Sequence, residues 1–271
     1  MIKDRENAST STVWLLTDFG VKDAYVGTMK AVICGISRNS IVHDLTHGIT
    51  PQSICEGAFV LETVLPYLPD GAIVVAVVDP GVGSARKALA VRTDKHTFVA
   101  PDNGLLTQIF NQCGPAHIVA LNQVHYWLNR LSATFHGRDL FAPIAGHLAA
   151  GVPMTALGET VSLDDCVRLS PPRLESSADG RRWVGEVLYV DGFGNCITSI
   201  PNDVLRACST TVVDFEGSTI TGIHRTFSDV AVDEPVAYLG SAGRLEIGVR
   251  NGHAAGRFRL APGALITVAF G

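Results

Sequence analysis

The sequence has no cluster of positive charge of the kind that binds nucleic acids or anionic membranes. Its 21 Lys and Arg residues stand singly among 26 Asp and Glu residues, which gives a formal net charge of −5. We therefore expect no nucleic acid and no membrane among the main partners. The chain also lacks any apolar run close to the roughly 20 residues that span a bilayer.

Paired cysteines and a signal peptide are also missing. The six cysteines are far apart and form no Cys-x-x-Cys motif, so we expect reduced thiols and a cytoplasmic protein. The N-terminal stretch MIKDRENASTS has no apolar core of a signal peptide. It predicts a disordered tail over residues 1–11.

The signature motifs of several enzyme classes are absent. No GxGxxG follows the first predicted strand, and neither a P-loop motif nor GxSxG occurs in the chain. His43 and His47 flank Asp44, but this segment lacks the Glu of HExxH and lies at the end of a strand, outside any helix. We expect neither a metal ion nor a cofactor.

An alternation of strand and helix patterns fills the first part of the chain. The third predicted strand is apolar on both faces, as a central parallel strand is. The sequence therefore predicts an α/β domain with a largely parallel sheet over residues 12–169. The predicted strands are residues 13–16, 41–45, 73–78, 88–92, 97–100 and 117–121, and the predicted helices are residues 23–36, 51–65, 104–110 and the second half of 132–151.

The composition changes after about residue 169. Residues 170–182 are rich in Pro, Ser and charge, which is typical of an interdomain linker. Seven short strand patterns then follow, and residues 201–207 are the one obvious helical piece. Residues 183–271 are predicted to form an all-β domain, a small barrel or a sandwich.

Polar side chains recur where predicted strands end or helices begin. In open α/β sheets, ligands bind in the crevice beyond the carboxyl ends of the strands. Ordinary turn and cap chemistry also explains each residue taken singly. Together they predict a cleft for a small polar ligand, and they are Asp18, Asp79, Arg86, Asn103, His136, Asp191 and Asn195.

Six stretches, five of which contain these residues, follow one another in an order known from one family. They are LLTDFG, VVDPGVGSARK, APDNGLLT, ATFHGRDLFAPIAGHLAAG, DGFGNCITSI and GSAGRLEIGVRNGHAA. On these motifs the chain resembles the S-adenosyl-L-methionine hydroxide adenosyltransferases, which are relatives of the bacterial fluorinase and chlorinase. The resemblance implies an N-terminal α/β domain, a C-terminal β-barrel and a homotrimer. In that family each active site lies between the N-terminal domain of one subunit and the C-terminal domain of its neighbour.

The resemblance also implies an activity and a set of residue roles. The family cleaves S-adenosyl-L-methionine with water and releases adenosine and L-methionine, and the methyl donor is the substrate, so no cofactor is needed. The roles carried over are catalysis for Asp79, Arg86 and His136, ribose binding for Asp18, adenine binding for Asn195 and the backbone around Arg250, and methionine binding for Asp191, Ser241 and Glu246.

Three other functions remain open at this stage. A halide adenosyltransferase is disfavoured because the fluorinase has tyrosines in place of Asp79 and His136, and a halide-binding serine in place of Gly137. A non-catalytic sensor of S-adenosyl-L-methionine or a nucleoside would use the same cleft without turnover. A metal hydrolase would depend on His43 and His47. Neither the general base of the triad nor the preferred sulfonium epimer can be read from the sequence.

Overall fold

The computed structural model describes residues 11–205 and 210–271, which fall into two compact units. The first unit ends at Leu169 and the second begins at Ser170. The predicted tail, except for residue 11, and the end of the predicted helix 201–207 lie outside the described residues.

A seven-stranded mixed sheet forms the centre of the first unit. Its order is β2-β1-β3-β5-β4-β6-β7, in which β2, β1, β3 and β5 run parallel and the other three strands extend the sheet in antiparallel pairs. The α/β class is confirmed. The strands are β1 Thr12–Thr17, β2 Ile41–Thr46, β3 Ile73–Val77, β4 Ala88–Arg92, β5 Thr97–Pro101, β6 His117–Ala120 and β7 Glu159–Thr160.

Helices cover both faces of this sheet. They are α1 Tyr25–Ile36, α2 Ile54–Val64, α3 Thr107–Cys113 and α4 Ala142–Ala149, and one π-helical turn, Gly137–Phe141, precedes α4. Strand β3 is buried along its whole length because its side chains alternate between two cores. Ile73, Val75 and Val77 pack with α1 and α4, whereas Val74 and Ala76 pack with α2 and α3.

The second unit is an antiparallel, barrel-like sheet that is nearly closed. Its order is β12-β11-β15-β9-β10-β14-β13, and β8 pairs with β9. Because β8 lies within residues 170–182, part of the predicted linker belongs to this sheet. The elements are β8 Leu174–Ser176, β9 Arg182–Val190, β10 Cys196–Pro201, α5 Asn202–Leu205, β11 Thr211–Phe215, β12 Ser218–Thr221, β13 Pro235–Leu239, β14 Arg244–Val249, α6 Ala254–Phe258 and β15 Leu265–Phe270.

None of the helices in the described ranges is long and apolar enough to cross a bilayer. The longest, α1, has 12 residues, well short of the roughly 20 that a membrane-spanning helix needs.

Candidate active site

The loop after β3 holds a buried ion pair. Arg86 donates from Nε to Asp79 Oδ1 at 2.9 Å and from Nη2 to Asp79 Oδ2, so the guanidinium binds both carboxylate oxygens. The Asp79 and Arg86 side chains are only 5% and 10% exposed. The Asn103 amide fixes the start of this loop, because its Nδ2 donates to the carbonyl oxygen of Val78 at 2.8 Å. Bidentate pairing of this kind holds a carboxylate in one orientation.

His136 joins this pair from a second loop. Arg86 Nη2 lies 2.9 Å from His136 Nδ1. A guanidinium can only donate, so Nδ1 is the acceptor and the neutral ring carries its hydrogen on Nε2. His136 is buried, and this burial, followed by the nearby Arg86 charge, lowers the pKa of His136 below its usual 6.5. The ring is therefore neutral at neutral pH, as the hydrogen bond requires.

Close backbone packing at Gly83 brings the two loops together. Gly83 has φ +77°, and a Cβ built there would overlap the carbonyl oxygen of Ala133. Only glycine combines this conformation with so close an approach. Arg86 and His136 therefore meet because the loop after β3 lies directly against the loop that leads into α4.

The ring of Phe141 packs against the guanidinium of Arg86. The guanidinium carbon of Arg86 lies 5.2 Å from the centre of this fully buried ring, which is a cation–π distance. Phe141 ends the π-helical turn Gly137–Phe141, and such turns are frequent at functional sites.

Asp139 is a supporting residue of the site that the sequence did not reveal. It is 1% exposed, and its carboxylate accepts from the backbone N–H of Ser132 at 2.7 Å and from Arg138 Nε at 2.5 Å. The N–H of Leu128 donates to the Asp139 carbonyl oxygen at 2.9 Å. Asp139 thus fixes the loop that carries His136. The one signal was an adjacent Arg-Asp pair at the start of an apolar helix, which reads equally well as an exposed first turn.

Asp18 follows β1 and is held by the backbone of a third loop. Its Oδ2 accepts from the N–H of Gln52 at 2.7 Å. Gln52 has φ +69°, a left-handed backbone conformation that residues other than glycine rarely adopt. One carboxylate oxygen of Asp18 is thus fixed, and the carboxylate as a whole remains partly accessible.

The second unit holds its own cluster of predicted residues in the turn between β9 and β10. The Asp191 carboxylate accepts from the N–H groups of Phe193 and Asn195 at 2.9 and 2.8 Å, and from Asn195 Nδ2 at 2.9 Å. Gly194, at φ +85°, lies against the ring of His253 and leaves no room there for a side chain. Asp191 therefore fixes the side-chain amide of Asn195. The amide nitrogen faces Asp191, and the amide oxygen does not.

Glu246 is buried on β14 beside this cluster. The hydroxyl of Tyr238 donates to Glu246 Oε2 at 2.6 Å, and the carboxyl packs so closely on Gly240 that no Cβ fits there. Burial, and to a smaller extent the charge of Asp191, raises the pKa of Glu246. Tyr238 is a partner that the sequence reading missed, because residues 238 and 246 meet only through strand pairing.

The other two predicted residues of this unit lie at its loops. Ser241 is exposed in the turn between β13 and β14. The Arg250 side chain donates to the carbonyl oxygen of Val230 at 2.7 Å. Arg250 therefore supports a neighbouring loop with its side chain. Its backbone is paired as well, because its N–H donates to the carbonyl oxygen of Glu234 at 3.0 Å and its own carbonyl oxygen accepts from the N–H of Asp233 at 2.9 Å.

The two histidines considered for a metal site point to different partners. The His43 ring stacks on Trp14 with a centroid distance of 4.3 Å, whereas His47 bonds to Thr17 and Asp44. Within residues 11–205 and 210–271, no three His, Cys, Asp or Glu side chains are grouped as metal ligands.

A cavity of about 510 Å³ reaches the triad within the first unit. Arg86 and His136 form part of its wall, together with Ser84, Lys87, Trp127 and Glu159. Because the triad is otherwise nearly buried, this cavity gives water a route to it.

Comparison with known proteins assigns the chain to a family. The model of the SAM hydroxide adenosyltransferase N-terminal domain matches residues 13–158, and that of the C-terminal domain matches residues 185–267. The chain belongs to the SAM hydroxide adenosyltransferase family. The family assignment made from the six sequence motifs is confirmed.

Several known proteins resemble the chain over nearly its whole length. A Thermus thermophilus protein named (R)-S-adenosyl-L-methionine hydrolase is 42% identical over 250 residues, which are 89% of this chain and 93% of that protein. A protein of the same name from Salinispora tropica is 36% identical and covers 97% of this chain and 100% of its own. The crystal structure of an uncharacterized conserved protein from Thermotoga maritima has a TM-score of 0.87 at 33% identity and covers 95% of this chain and 99% of its own.

Fluorinases are more distant relatives. The fluorinase of Actinopolyspora mzabensis is 26% identical over 274 residues, 89% of this chain and 91% of its own. Gly137, the position at which the resemblance places a serine in the fluorinase, is closely enclosed in this chain. A Cβ at Gly137 would lie 3.1 to 3.2 Å from Phe19, Met29 and Phe135, so each neighbour would have to move by a few tenths of an ångström.

Proposed function

We propose that the protein hydrolyses S-adenosyl-L-methionine to adenosine and L-methionine. The observation that carries this proposal is the buried triad of Asp79, Arg86 and His136 in a chain of the SAM hydroxide adenosyltransferase family. The relatives at 34–42% identity are named as hydrolases of the (R) epimer, so we assign the same epimer to this chain.

The reaction needs an aligned nucleophile more than an acid. The water oxygen forms a bond to the ribose C5′ while the bond from C5′ to sulfur breaks, and the electron pair of that bond leaves with sulfur as a neutral thioether. No general acid is required for the leaving group. Water with a pKa of about 15.7 must lose a proton in the process. Holding that water about 3 to 3.5 Å from C5′, opposite sulfur, supplies the proximity effect.

The hydrogen bonds of the triad support a separate role for each of its three residues. Nδ1 of His136 accepts from Arg86, so the ring has an N–H on Nε2 to orient the water and no free acceptor. Each oxygen of Asp79 accepts one bond from Arg86 and has a second acceptor position left. Asp79 is therefore the proton acceptor, Arg86 fixes its direction, and His136 positions the water.

The remaining predicted residues form the substrate-binding set. Asp18 accepts the ribose hydroxyls with the carboxylate that Gln52 orients. Asn195 binds the adenine edge with the carbonyl oxygen that does not face Asp191, and the backbone around Arg250 to His253 completes that pocket. Asp191, with Glu246 and Ser241, binds the methionine ammonium, since carboxylates suit a cation.

Assembly and location are part of the proposal. The resemblance supports a homotrimer in which the residues around Asp79 in one subunit and those around Asp191 in a neighbour serve one substrate molecule. The five cysteines within the described residues are free thiols, which supports a cytoplasmic protein. Light scattering coupled to gel filtration would test the trimer.

A halide adenosyltransferase is the alternative, and the triad argues against it. Asp79 carries a negative charge at the place of the nucleophile, and Gly137 has no room for the fluorinase serine without movement of its neighbours. A non-catalytic sensor would have no need of a buried, fully paired Asp-Arg-His triad.

The decisive experiment is the reaction in ¹⁸O-labelled water with the (R) and (S) epimers, with and without chloride or fluoride. We expect adenosine with ¹⁸O at its 5′ oxygen as the nucleoside product under all conditions, formed faster from the (R) epimer. Any 5′-halogenated adenosine, or label in methionine, would contradict the proposal. Asp79→Asn and Asp79→Ala should lose turnover by orders of magnitude. The surface variant Asp70→Ala, 76% exposed at its side chain, is the matched control.

A further inference from the structure

A chain of side-chain hydrogen bonds ends directly beside Asp18. It starts at Lys30 on α1, whose Nζ bonds to Asp44 Oδ2 at 2.7 Å. Asp44 Oδ1 bonds to His47 Nε2 at 2.9 Å, and His47 Nδ1 bonds to Thr17 Oγ1 at 2.9 Å. Thr17 is the last residue of β1 and is completely buried.

The proton positions along this chain follow from its ends. The pKa of Asp44 is lowered by its hydrogen bonds to Lys30 and His47, which outweigh the effect of burial. An ionised carboxylate only accepts, so the Nε2 of His47 is the donor to Asp44. Nδ1 of His47 is then the ring nitrogen that bonds to the Thr17 hydroxyl. The hydroxyl oxygen still has a lone pair for another donor.

That other donor belongs to the loop of Asp18. The N–H of Phe19 donates to Thr17 Oγ1 at 3.2 Å, and the N–H of Gly20 donates to the carbonyl oxygen of His47 at 2.8 Å. Both residues that follow Asp18 are thereby tied to Thr17 or His47. Asp18 itself is held from the other side by the N–H of Gln52.

Strand β2 has a bulge just before His47, which contacts Thr17. Asp44 pairs with Leu15 and Thr46 with Leu16, so the register of β2 against β1 shifts by one residue next to His47. Such bulges redirect side chains and recur near active sites. The segment from His43 to His47 therefore has a use that does not involve metal.

We propose that His47 and Thr17, supported by Asp44, are positioning residues for the ribose-binding carboxylate of Asp18. Thr17 and His47 do not touch the substrate; they fix the backbone from which Asp18 projects. This inference rests on the proposed function, because it assumes that Asp18 binds the ribose.

The test compares ligands that have the ribose hydroxyls with ligands that lack them. Thr17→Val keeps the shape and removes the hydroxyl, Thr17→Ser restores it, and Asp44→Asn alters the chain at a site that is 43% exposed and should fold normally. Thr63→Val, which removes a threonine hydroxyl that donates to the backbone carbonyl of Val60 in α2, is the matched control. Binding of adenosine and of 2′,3′-dideoxyadenosine is measured by calorimetry, and KM and kcat are measured with S-adenosyl-L-methionine.

We expect Thr17→Val to weaken adenosine binding and raise KM about tenfold, which corresponds to about 1.4 kcal/mol, the upper range for one hydrogen bond. Binding of the dideoxy analogue and kcat should change less than about twofold, and Thr17→Ser should restore adenosine binding. Asp44→Asn should act in the same direction with a smaller effect.

Equal losses for both nucleosides would reduce Thr17 and His47 to a purely structural role and overturn the inference. Unchanged adenosine binding in folded Thr17→Val and Asp44→Asn would overturn it as well. If wild-type protein binds adenosine more tightly than its dideoxy analogue but releases no adenosine from S-adenosyl-L-methionine, the proposed function fails while this inference survives.

Discussion

Replacing Gly83 by alanine tests whether the site depends on close contact between the two loops. The variant adds one methyl group, which does not reach the triad directly. The added Cβ would lie about 1 Å inside van der Waals contact with the carbonyl oxygen of Ala133. Since both atoms belong to backbone, the two loops must move apart, and Arg86 and His136 move with them.

The size of the effect follows from two separate contributions. Alanine at φ +77° costs about 1 to 2 kcal/mol of folding free energy, because left-handed backbone is unfavourable for L side chains. A displacement of about 1 Å within a reacting constellation costs about 100-fold in rate. We therefore expect a folded protein, with a modestly lower melting temperature, whose kcat falls about 100-fold.

Gly71→Ala separates these contributions. Gly71 has a similar φ of +83° but no atom within 4 Å of a built Cβ. This control should lose stability to a similar extent and keep its kcat. The assay is release of adenosine from S-adenosyl-L-methionine by chromatography, with melting followed by circular dichroism. If Gly83→Ala folds and retains kcat within about threefold of wild type, the loops are not coupled as the structure implies and the argument fails.

Three further predictions concern single side chains. First, protonation of His136 would put a hydrogen on Nδ1 against Arg86, so kcat/KM should fall at low pH. Because burial and the Arg86 charge lower the pKa of His136, this fall should occur below pH 6.5. A fall of kcat/KM centred above pH 6.5 would contradict this. Second, Gly137→Ser should lower hydrolysis and still yield no chlorinated nucleoside in chloride, as chromatography would show. Third, Tyr238→Phe removes the donor to the buried Glu246 carboxyl and should lower stability by about 1 to 3 kcal/mol in denaturant unfolding; an unchanged midpoint would show that another donor takes its place.

The sequence was informative wherever the signal is local. The apolar run before Asp79 predicted a buried central strand, and β3 is such a strand. Loops at the carboxyl ends of neighbouring parallel strands meet at one edge, and the pairing of Thr17 with Val77 puts the loops of Asp18 and Asp79 at the same edge. The six motifs supplied the family.

Contacts between distant parts of the chain were beyond sequence reasoning. The approach of Gly83 to Ala133 depends on loop shapes that no periodicity encodes. Thr17 was hidden inside the apolar strand pattern, and its partner His47 stands 30 residues later, in the segment that suggested a metal site. The antiparallel half of the first sheet arises because β4 and β5 form a hairpin, and neither strand shows its direction in its composition.

The charges of the triad explain why water, and no halide, is the fitting nucleophile. Asp79 and Arg86 compensate each other, and His136 is neutral because burial and the Arg86 charge lower its pKa. The triad therefore carries no net charge. A halide ion that enters the site loses its hydration, and the triad offers no excess positive charge to offset that loss. In the proposed reaction a neutral water enters at little cost, and it becomes an anion only as its proton passes to Asp79 with the positive sulfur opposite. The negative charge is thus created at the point of attack, where the substrate itself compensates it.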